Sequence, residues 1–118
     1  MHGMHDLFTD KEENDVFNNE VRKGFLKLIL MNIIREKPTH GYEIIHNIQE
    51  KSGGRWTPSP GSVYPALEYL ESKGYIVSQE VERKKVYSIT PKGEQVIEHM
   101  RKKREEMLKE LTTFLGDI

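Results

Sequence analysis

Residues 59–90, SPGSVYPALEYLESKGYIVSQEVERKKVYSIT, contain a short amphipathic helix followed by two strand-like segments. The apolar residues of the helix recur at intervals of three and four, the spacing of one buried helix face: Val63, Ala66, Leu67 and Leu70. The helix spans about residues 61–73, and Gly74 ends it. Segments 75–82 and 86–90 are rich in Tyr, Val and Ile, which favour strands. A charged hairpin tip separates these strands: Arg83, Lys84 and Lys85.

Two further helices precede this stretch and one follows it. Apolar residues at helical spacing predict a first helix over residues 21–37 and a second from Thr39, its expected N-cap, to about Ser52. The last helix begins at Thr90-Pro91 and runs to about Leu115. The order helix, helix, helix, strand, strand, helix is that of a winged helix-turn-helix. The predicted fold is therefore mainly α with a small β-hairpin and an added C-terminal helix.

Charge is distributed unevenly along the 118 residues, although the net charge is only -1. Residues 1–20 carry one lysine and six acids, residues 21–93 carry twelve Lys and Arg against seven acids, and residues 94–118 carry five against six. We therefore divide the chain into an acidic leader (1–20), a winged helix-turn-helix domain (21–90) and a C-terminal helix (91–118). The leader is interpreted as a loose segment or a short amphipathic helix. The basic middle suits a polyanion, with a solvated charged surface as the alternative.

The composition excludes several classes of protein. The hydrophobic fraction is 36%, and no run of 18 apolar residues occurs, so no transmembrane helix is expected. The N-terminus lacks the basic and then apolar pattern of a secretory signal. The chain has no cysteine, which excludes a disulfide scaffold, a thiol nucleophile and a cysteine-ligated zinc site. This composition is compatible with a cytoplasmic location.

The start of the third predicted helix is suited to contact DNA. In a helix-turn-helix the second helix of the motif enters the major groove, with its N-terminal residues at the base edges. Here that helix carries no acid before Glu68, and the free amides of a helix N-terminus favour an anion. Tyr64 lies roughly 110° from the centre of the apolar face at about 100° per residue, so we expect it to point outward. A buried tyrosine is the alternative.

The hairpin tip supplies three adjacent positive charges at residues 83–85. In a winged helix, cations at this position contact the phosphate backbone or the minor groove and raise affinity without selecting sequence. The alternative is a solvated turn whose lysines protect a sheet edge from further pairing. Because the tip follows a helix-turn-helix within about 60 residues, we favour DNA contact.

The last helix carries a second apolar pattern with steps of three and four, which is typical of a coiled-coil seam: Ile97, Met100, Arg104, Met107, Leu111 and Phe114. Leu108 and Leu115 widen this seam, and Arg104 would set the register or pair with an acid across a dimer. A helix of some 25 residues exceeds what a core this small can cover, which favours a second copy as its partner. Packing on its own domain is the alternative.

Four stretches resemble the PadR family of bacterial transcriptional regulators and lie within about residues 23–115: HGYEI (40–44), SPGSVYPAL (59–67), LESKGYI (70–76) and KVYSITPKG (85–93). The resemblance implies a homodimeric winged-helix protein that usually represses and, in many members, is released by a small molecule. It also implies that the recognition helix meets DNA through Ser59, Gly61, Ser62, Tyr64 and Pro65, and that the wing consists of Arg83, Lys84 and Lys85. The single C-terminal helix resembles that of the short subgroup, which dimerises through it. The acidic leader is not part of the shared pattern.

The predicted function is a sequence-specific DNA-binding regulator, most simply a homodimeric repressor that binds operator DNA and responds to an unidentified small-molecule effector. The alternative is a winged-helix protein-interaction module that does not bind DNA. No enzyme is expected, since no serine or threonine has a recognisable base nearby and no glycine-rich phosphate loop occurs.

No metal or cofactor site is expected either. His2 and His5 form no closed site. His40, Glu43 and His46 fall on one side of the second helix, but a catalytic zinc usually needs three protein ligands and a pocket, so solvated or capping roles are expected. Trp56, the single tryptophan, is expected to pack below the loop that leads into the recognition helix. In multidrug-binding members of the resembled family an aromatic on the dimer helix sandwiches flat ligands. Here that helix offers Phe114 and no tryptophan, which argues against such a drug site.

Overall fold

A computed structural model describes the backbone of residues 11–116 and the side chains of residues 22–116. Four helices and three short strands lie within this range, and their bounds are α1 Lys11–Glu36, β1 Thr39–His40, α2 Gly41–Lys51, α3 Pro60–Ser72, β2 Ile76–Val81, β3 Lys84–Ile89 and α4 Pro91–Leu115. The strands form one antiparallel sheet with the order β1-β3-β2. The predicted winged helix-turn-helix with a C-terminal helix is confirmed.

Helix α1 begins at Lys11, ten residues before the expected start near Val21. Residues 11–20 contain no proline or glycine that would interrupt a helix. Their acidic side chains lie near the helix N-terminus, where negative charge interacts favourably with the helix dipole. Helix therefore continues across the proposed boundary between leader and domain. The earlier part of the leader, with His2 and His5, lies outside the described residues.

Strand β1 was missed by sequence reasoning. Thr39 pairs with Tyr87 and His40 with Val86 of β3, so the hairpin gains a third strand. The prediction that Thr39 caps α2 is wrong, because Thr39 is buried in this strand. His40 is the N-cap instead, and its Nδ1 accepts a hydrogen bond from the Glu43 backbone amide at 3.4 Å. The Thr39 hydroxyl donates to the Glu43 carboxylate at 2.8 Å.

The hairpin turn is shorter than expected. Glu82 and Arg83 have φ angles of 50° and 68°, the left-handed conformation that both central residues of a two-residue type I′ hairpin turn adopt. The predicted tip of three residues is therefore wrong in its bounds. Lys84 and Lys85 are already in β3, where they pair with Val81 and Glu80 of β2.

The recognition helix α3 forms much as the sequence predicts. Ser59 is its N-cap and accepts a hydrogen bond from the Ser62 amide at 3.2 Å, and Pro60 occupies the first turn. The four apolar residues of its predicted face are all buried: Val63, Ala66, Leu67 and Leu70. Gly74, with φ of 76°, adopts the left-handed conformation that ends the helix. This face fixes which side of α3 remains outside.

The core lies between α1, α2, α3 and the sheet. Its most deeply buried large side chains come from all of these layers: Leu30, Ile34, Ile44, Val63, Leu67, Leu70 and Ile76. Helix α4 joins the core only at its start, where Gly93 and Ile97 are buried and Arg35 of α1 pairs with Glu94 at 3.3 Å. From residue 101 to residue 116 every side chain is exposed. No helix among the described residues is long and apolar enough to cross a membrane.

Candidate nucleic-acid interface

The outer side of α3, the start of α2 and the wing together line a groove of about 530 Å³. We call it the recognition groove, and its lining residues are His40, Gly41, Tyr42, Tyr64, Glu68, Arg83, Lys84, Lys85 and Tyr87. It brings together Tyr64 and the three basic residues that the sequence analysis singled out. They come from elements separated along the chain and are held in place by the shared core beneath them.

Tyr64 lies off the buried face of α3, as its spacing predicts, and its side chain is 44% exposed. Its ring lies directly over the backbone of Gly41 at the start of α2. The neighbouring positions at the start of α3 are also exposed: Ser59, Gly61, Ser62 and Pro65. The two serine hydroxyls of this set are hydrogen-bonded to each other, because the Ser59 hydroxyl, which caps the helix, donates to the Ser62 hydroxyl at 3.1 Å. Within this set Tyr64 is the only aromatic side chain.

The base of the wing is attached to α3 through Glu71. The hydroxyl of Ser78 in β2 donates to the Glu71 carboxylate, and the ammonium of Lys85 in β3 lies 3.9 Å from it. This ion pair engages part of the charge of Lys85 within the domain. Arg83 at the turn and Lys84 beside it are both exposed. The contact with Glu71 holds the wing at a defined distance from the recognition helix.

The recognition groove carries more positive than negative side chains. Glu68 of α3 is the acid among its lining residues, against Arg83, Lys84 and Lys85. Tyr87 forms part of the floor, and burial, followed by the nearby charge of Glu71, raises the pKa of its phenol. Tyr87 therefore stays neutral at physiological pH, and the net positive charge of the groove comes from three cations against the one acid among its lining residues. Such a surface attracts a polyanion.

The N-terminal end of α2 contributes residues that sequence reasoning did not place at the interface. Tyr42 is 73% exposed, and its ring stacks on that of His40 with centroids 6.4 Å apart. Close by, the hydrogen bond from Thr39 lowers the pKa of the Glu43 carboxyl and keeps it ionised. The sequence analysis gave the HGYEI stretch no role in DNA contact, because its place beside α3 depends on the tertiary fold.

Most residues of the predicted dimer seam on the C-terminal helix are exposed to solvent. The exposed apolar side chains are 45–85% accessible and lie in its second half: Met107, Leu108, Leu111, Phe114 and Leu115. Arg104 is also exposed, and Met100 is half-buried. Ile97 is only 8% exposed because it packs into its own core, so it offers little surface to a partner and its place in the dimer seam stays a prediction. The surface left for a partner begins after this residue.

The two histidines at the cap and within α2 have local roles. His40 caps the helix, and Nε2 of His46 lies 3.1 Å from the carboxylate of Glu50, one helical turn further along. Among the described residues, no three His, Asp or Glu side chains are grouped so that they could hold a metal ion.

Trp56 is half-buried against the core and is tied to the end of α2. Its amide donates to the Ser52 hydroxyl at 3.0 Å, and the guanidinium of Arg22 lies 5.3 Å from its ring centroid. It borders a largely apolar cavity of about 510 Å³ between α1 and α2, which Phe25 and Leu28 also line. The Oδ1 atom of Asn47, another lining residue, is buried without a hydrogen-bond partner.

Comparison with known proteins agrees with this architecture. Residues 29–99 match the model of the transcriptional regulator PadR-like family. The transcriptional regulator YqjI of Escherichia coli is 38% identical over 83 residues, which cover 70% of this chain and 40% of that protein. The chain thus spans about two fifths of the length of this relative.

Solved structures show the same fold. A transcriptional regulator from Clostridium thermocellum is 30% identical, with a TM-score of 0.74 over 80% of this chain and 94% of that one. Bacillus subtilis PadR in complex with operator DNA is 26% identical, with a TM-score of 0.59 over 64% of this chain and 46% of that one. From its matching family model, its winged-helix fold and these relatives, the chain belongs to the PadR-like family of transcriptional regulators.

Proposed function

We propose that this regulator binds DNA sequence-specifically as a homodimeric repressor and is released by a small-molecule effector. The observation that carries the proposal is the recognition groove, in which Tyr64 of α3 faces the same space as Arg83 and Lys84 of the wing. The operator complex of Bacillus subtilis PadR, a similar structure, supports DNA as the ligand. In this arrangement α3 enters the major groove while the wing lies along the phosphates.

The two sides of the recognition groove have different tasks in this proposal. Cations at phosphates contribute affinity that falls with salt and carries little sequence information. Base edges are read from α3, where Tyr64 can place its ring against a thymine methyl group or a sugar and its hydroxyl against a phosphate oxygen. The start of α3 carries only short side chains besides Tyr64, so its backbone can approach the duplex closely. These residues are Ser59, Gly61, Ser62 and Pro65.

A homodimer is proposed because the apolar side of α4 has no cover within the described residues. Five large apolar side chains are exposed there, and Phe114 is 85% accessible. Isolated exposed apolar residues are ordinary, but a contiguous stripe on one helix marks an interaction site. A second copy packed along this stripe would present two recognition helices to two half-sites of an operator.

An effector is proposed to act on the domain that carries the recognition helix. The apolar cavity beside Trp56 is large enough for a small molecule. Because Trp56 is the single tryptophan, its fluorescence reports on this cavity directly. Quenching by an added compound that also releases DNA would identify an effector.

Catalysis is not part of the proposed function, since the chain belongs to a family of transcriptional regulators. A cytoplasmic location is inferred from the role in transcription.

The test is a titration of the full chain with two labelled duplexes over a series of salt concentrations. One duplex has mixed sequence and the other is selected by the protein from a randomised pool. We expect both to bind, the selected one more tightly, with log affinity falling linearly as log salt rises. If neither duplex binds at low salt, the protein-interaction module becomes the better interpretation and the DNA-binding proposal is abandoned.

A further inference from the structure

Gly41 lies closer to the ring of Tyr64 than any larger residue would allow. A Cβ atom built at position 41 would lie 2.7 Å from both Cε1 and the hydroxyl oxygen of Tyr64, and 2.8 Å from Cζ. Carbon atoms in contact normally lie about 3.5–4.0 Å apart. The ring of Tyr64 therefore occupies the space that any side chain at position 41 would need.

The backbone of Gly41 gives no other reason for a glycine. Four other glycines have positive φ angles, at positions 53, 54, 74 and 116, whereas Gly41 is not among them. Gly41 is the first residue of α2, next to the cap His40, where alanine would be acceptable and better for helix stability. The absence of a side chain at position 41 is therefore explained by its contact with Tyr64.

We propose that Gly41 is a positioning residue that sets the place of the Tyr64 ring in the recognition groove and thereby its contact with DNA. The ring is the outer end of a 44% exposed side chain, so it can swing away from an added methyl group. The fold would persist while the ring leaves its place. Gly41, which has no side chain to offer the duplex, thus acts on DNA recognition through the ring of Tyr64 in α3.

This inference rests on the proposed DNA-binding function, and a double-mutant cycle tests it with the full chain. The variants are Gly41→Ala, Tyr64→Ala and the two combined, titrated with the duplex selected from a randomised pool. Gly41→Ala alone should weaken binding about as much as Tyr64→Ala, by roughly 5- to 150-fold. In the Tyr64→Ala background the same change should have no further effect, because the ring it displaces is gone.

Thermal melting supplies a second measurement that distinguishes positioning from a general loss of structure. In the Tyr64→Ala background, Gly41→Ala should raise the Tm by about 2–5 °C, since alanine reduces the entropy of the unfolded chain. In the wild type the contact with the ring should cancel that gain. Tyr64→Phe retains Cε1 and Cζ, so Gly41→Ala in this background should behave as it does in the wild type.

Gly24 provides the matched control, because it is a helical glycine of α1 whose would-be Cβ meets no atom within 4 Å beyond the local backbone of its own helix. Gly24→Ala should leave DNA binding unchanged in every background. If Gly41→Ala binds like the wild type, or weakens binding equally with and without the tyrosine ring, the positioning role is wrong. If the wild type binds neither duplex, the DNA-binding function fails first and this inference fails with it.

Discussion

The recognition groove and the C-terminal half of α4 are both exposed, but their side chains are held in different ways. In the groove, Tyr64 rests on Gly41, and Lys85 is tied to Glu71 on the neighbouring helix. Beyond residue 100, α4 leaves the core, and side chains such as Phe114 face solvent. The groove is thus organised by the chain's own fold and is polar enough to remain in water. On α4, helix periodicity alone places the apolar side chains on one side, and these side chains would be buried only against a partner.

This difference predicts that charges placed on the apolar side of α4 will have the largest effect on assembly. Replacing both Met107 and Leu111 with Glu should convert the proposed homodimer to a monomer, because burying two carboxylates in an apolar seam costs several kcal/mol. Sedimentation equilibrium measures the change. Melting of the winged domain should be much less affected at concentrations where the wild type is already monomeric.

The matched control replaces Lys102 and Lys109 with Glu. Both residues lie on the side of α4 opposite the apolar seam. These changes add acid to α4 without entering the seam, so the dimer should persist. A dimer that survives the Met107 and Leu111 changes would place the interface elsewhere, on α1 or on the winged domain. The contrast between the two regions would then be broken.

In the groove, the largest effect is expected from Tyr64. Tyr64→Ala should cost about 1–3 kcal/mol of specific DNA binding while the dimer and the Tm change little, since a half-exposed ring leaves no core cavity. Tyr64→Phe should bind at an intermediate level if the hydroxyl bonds a phosphate and like the wild type if only the ring is used. Titration and melting of the same variants measure this. A large fall in Tm with binding retained per folded molecule would contradict the assignment.

The wing should contribute affinity of a different kind. Changing Lys84 and Lys85 to Ala should weaken the selected and the mixed-sequence duplex alike, and should lower the slope of log affinity against log salt by up to about two. Because Lys85 already pairs with Glu71, the single change Lys84→Ala should account for the larger part of this fall. Equal salt slopes for the wild type and both variants would remove the wing from the interface.

The sequence predicted the elements whose patterns are local and missed those that depend on contacts between distant residues. The buried face of α3, the outward place of Tyr64 and the apolar side of α4 follow from spacing within one helix. Strand β1 has two residues, too few for any periodicity, and it exists because Thr39 pairs with Tyr87 in the hairpin. The contact between Gly41 and Tyr64 joins two helices and has no signal in either segment alone. The sequence did not predict the two-residue turn, because neither Glu82 nor Arg83 is a residue type that favours positive φ.

The smallest expected effect comes from Glu68, the acid that lines the recognition groove beside the three cations. A carboxylate there repels phosphates, so Glu68→Gln should strengthen DNA binding. The carboxylate is exposed and screened, and exposed charges interact by about 0.2–1 kcal/mol, so the gain should be roughly 1.4- to 5-fold. Both duplexes should gain alike, because a charge effect carries no sequence information, and the gain should shrink as salt rises. Titration of both duplexes at two salt concentrations measures it, with Glu98→Gln on α4 as the control for a lost surface acid. A gain confined to the selected duplex would instead place Glu68 at a base edge, and weaker binding would make its carboxylate an acceptor for the DNA or for the wing.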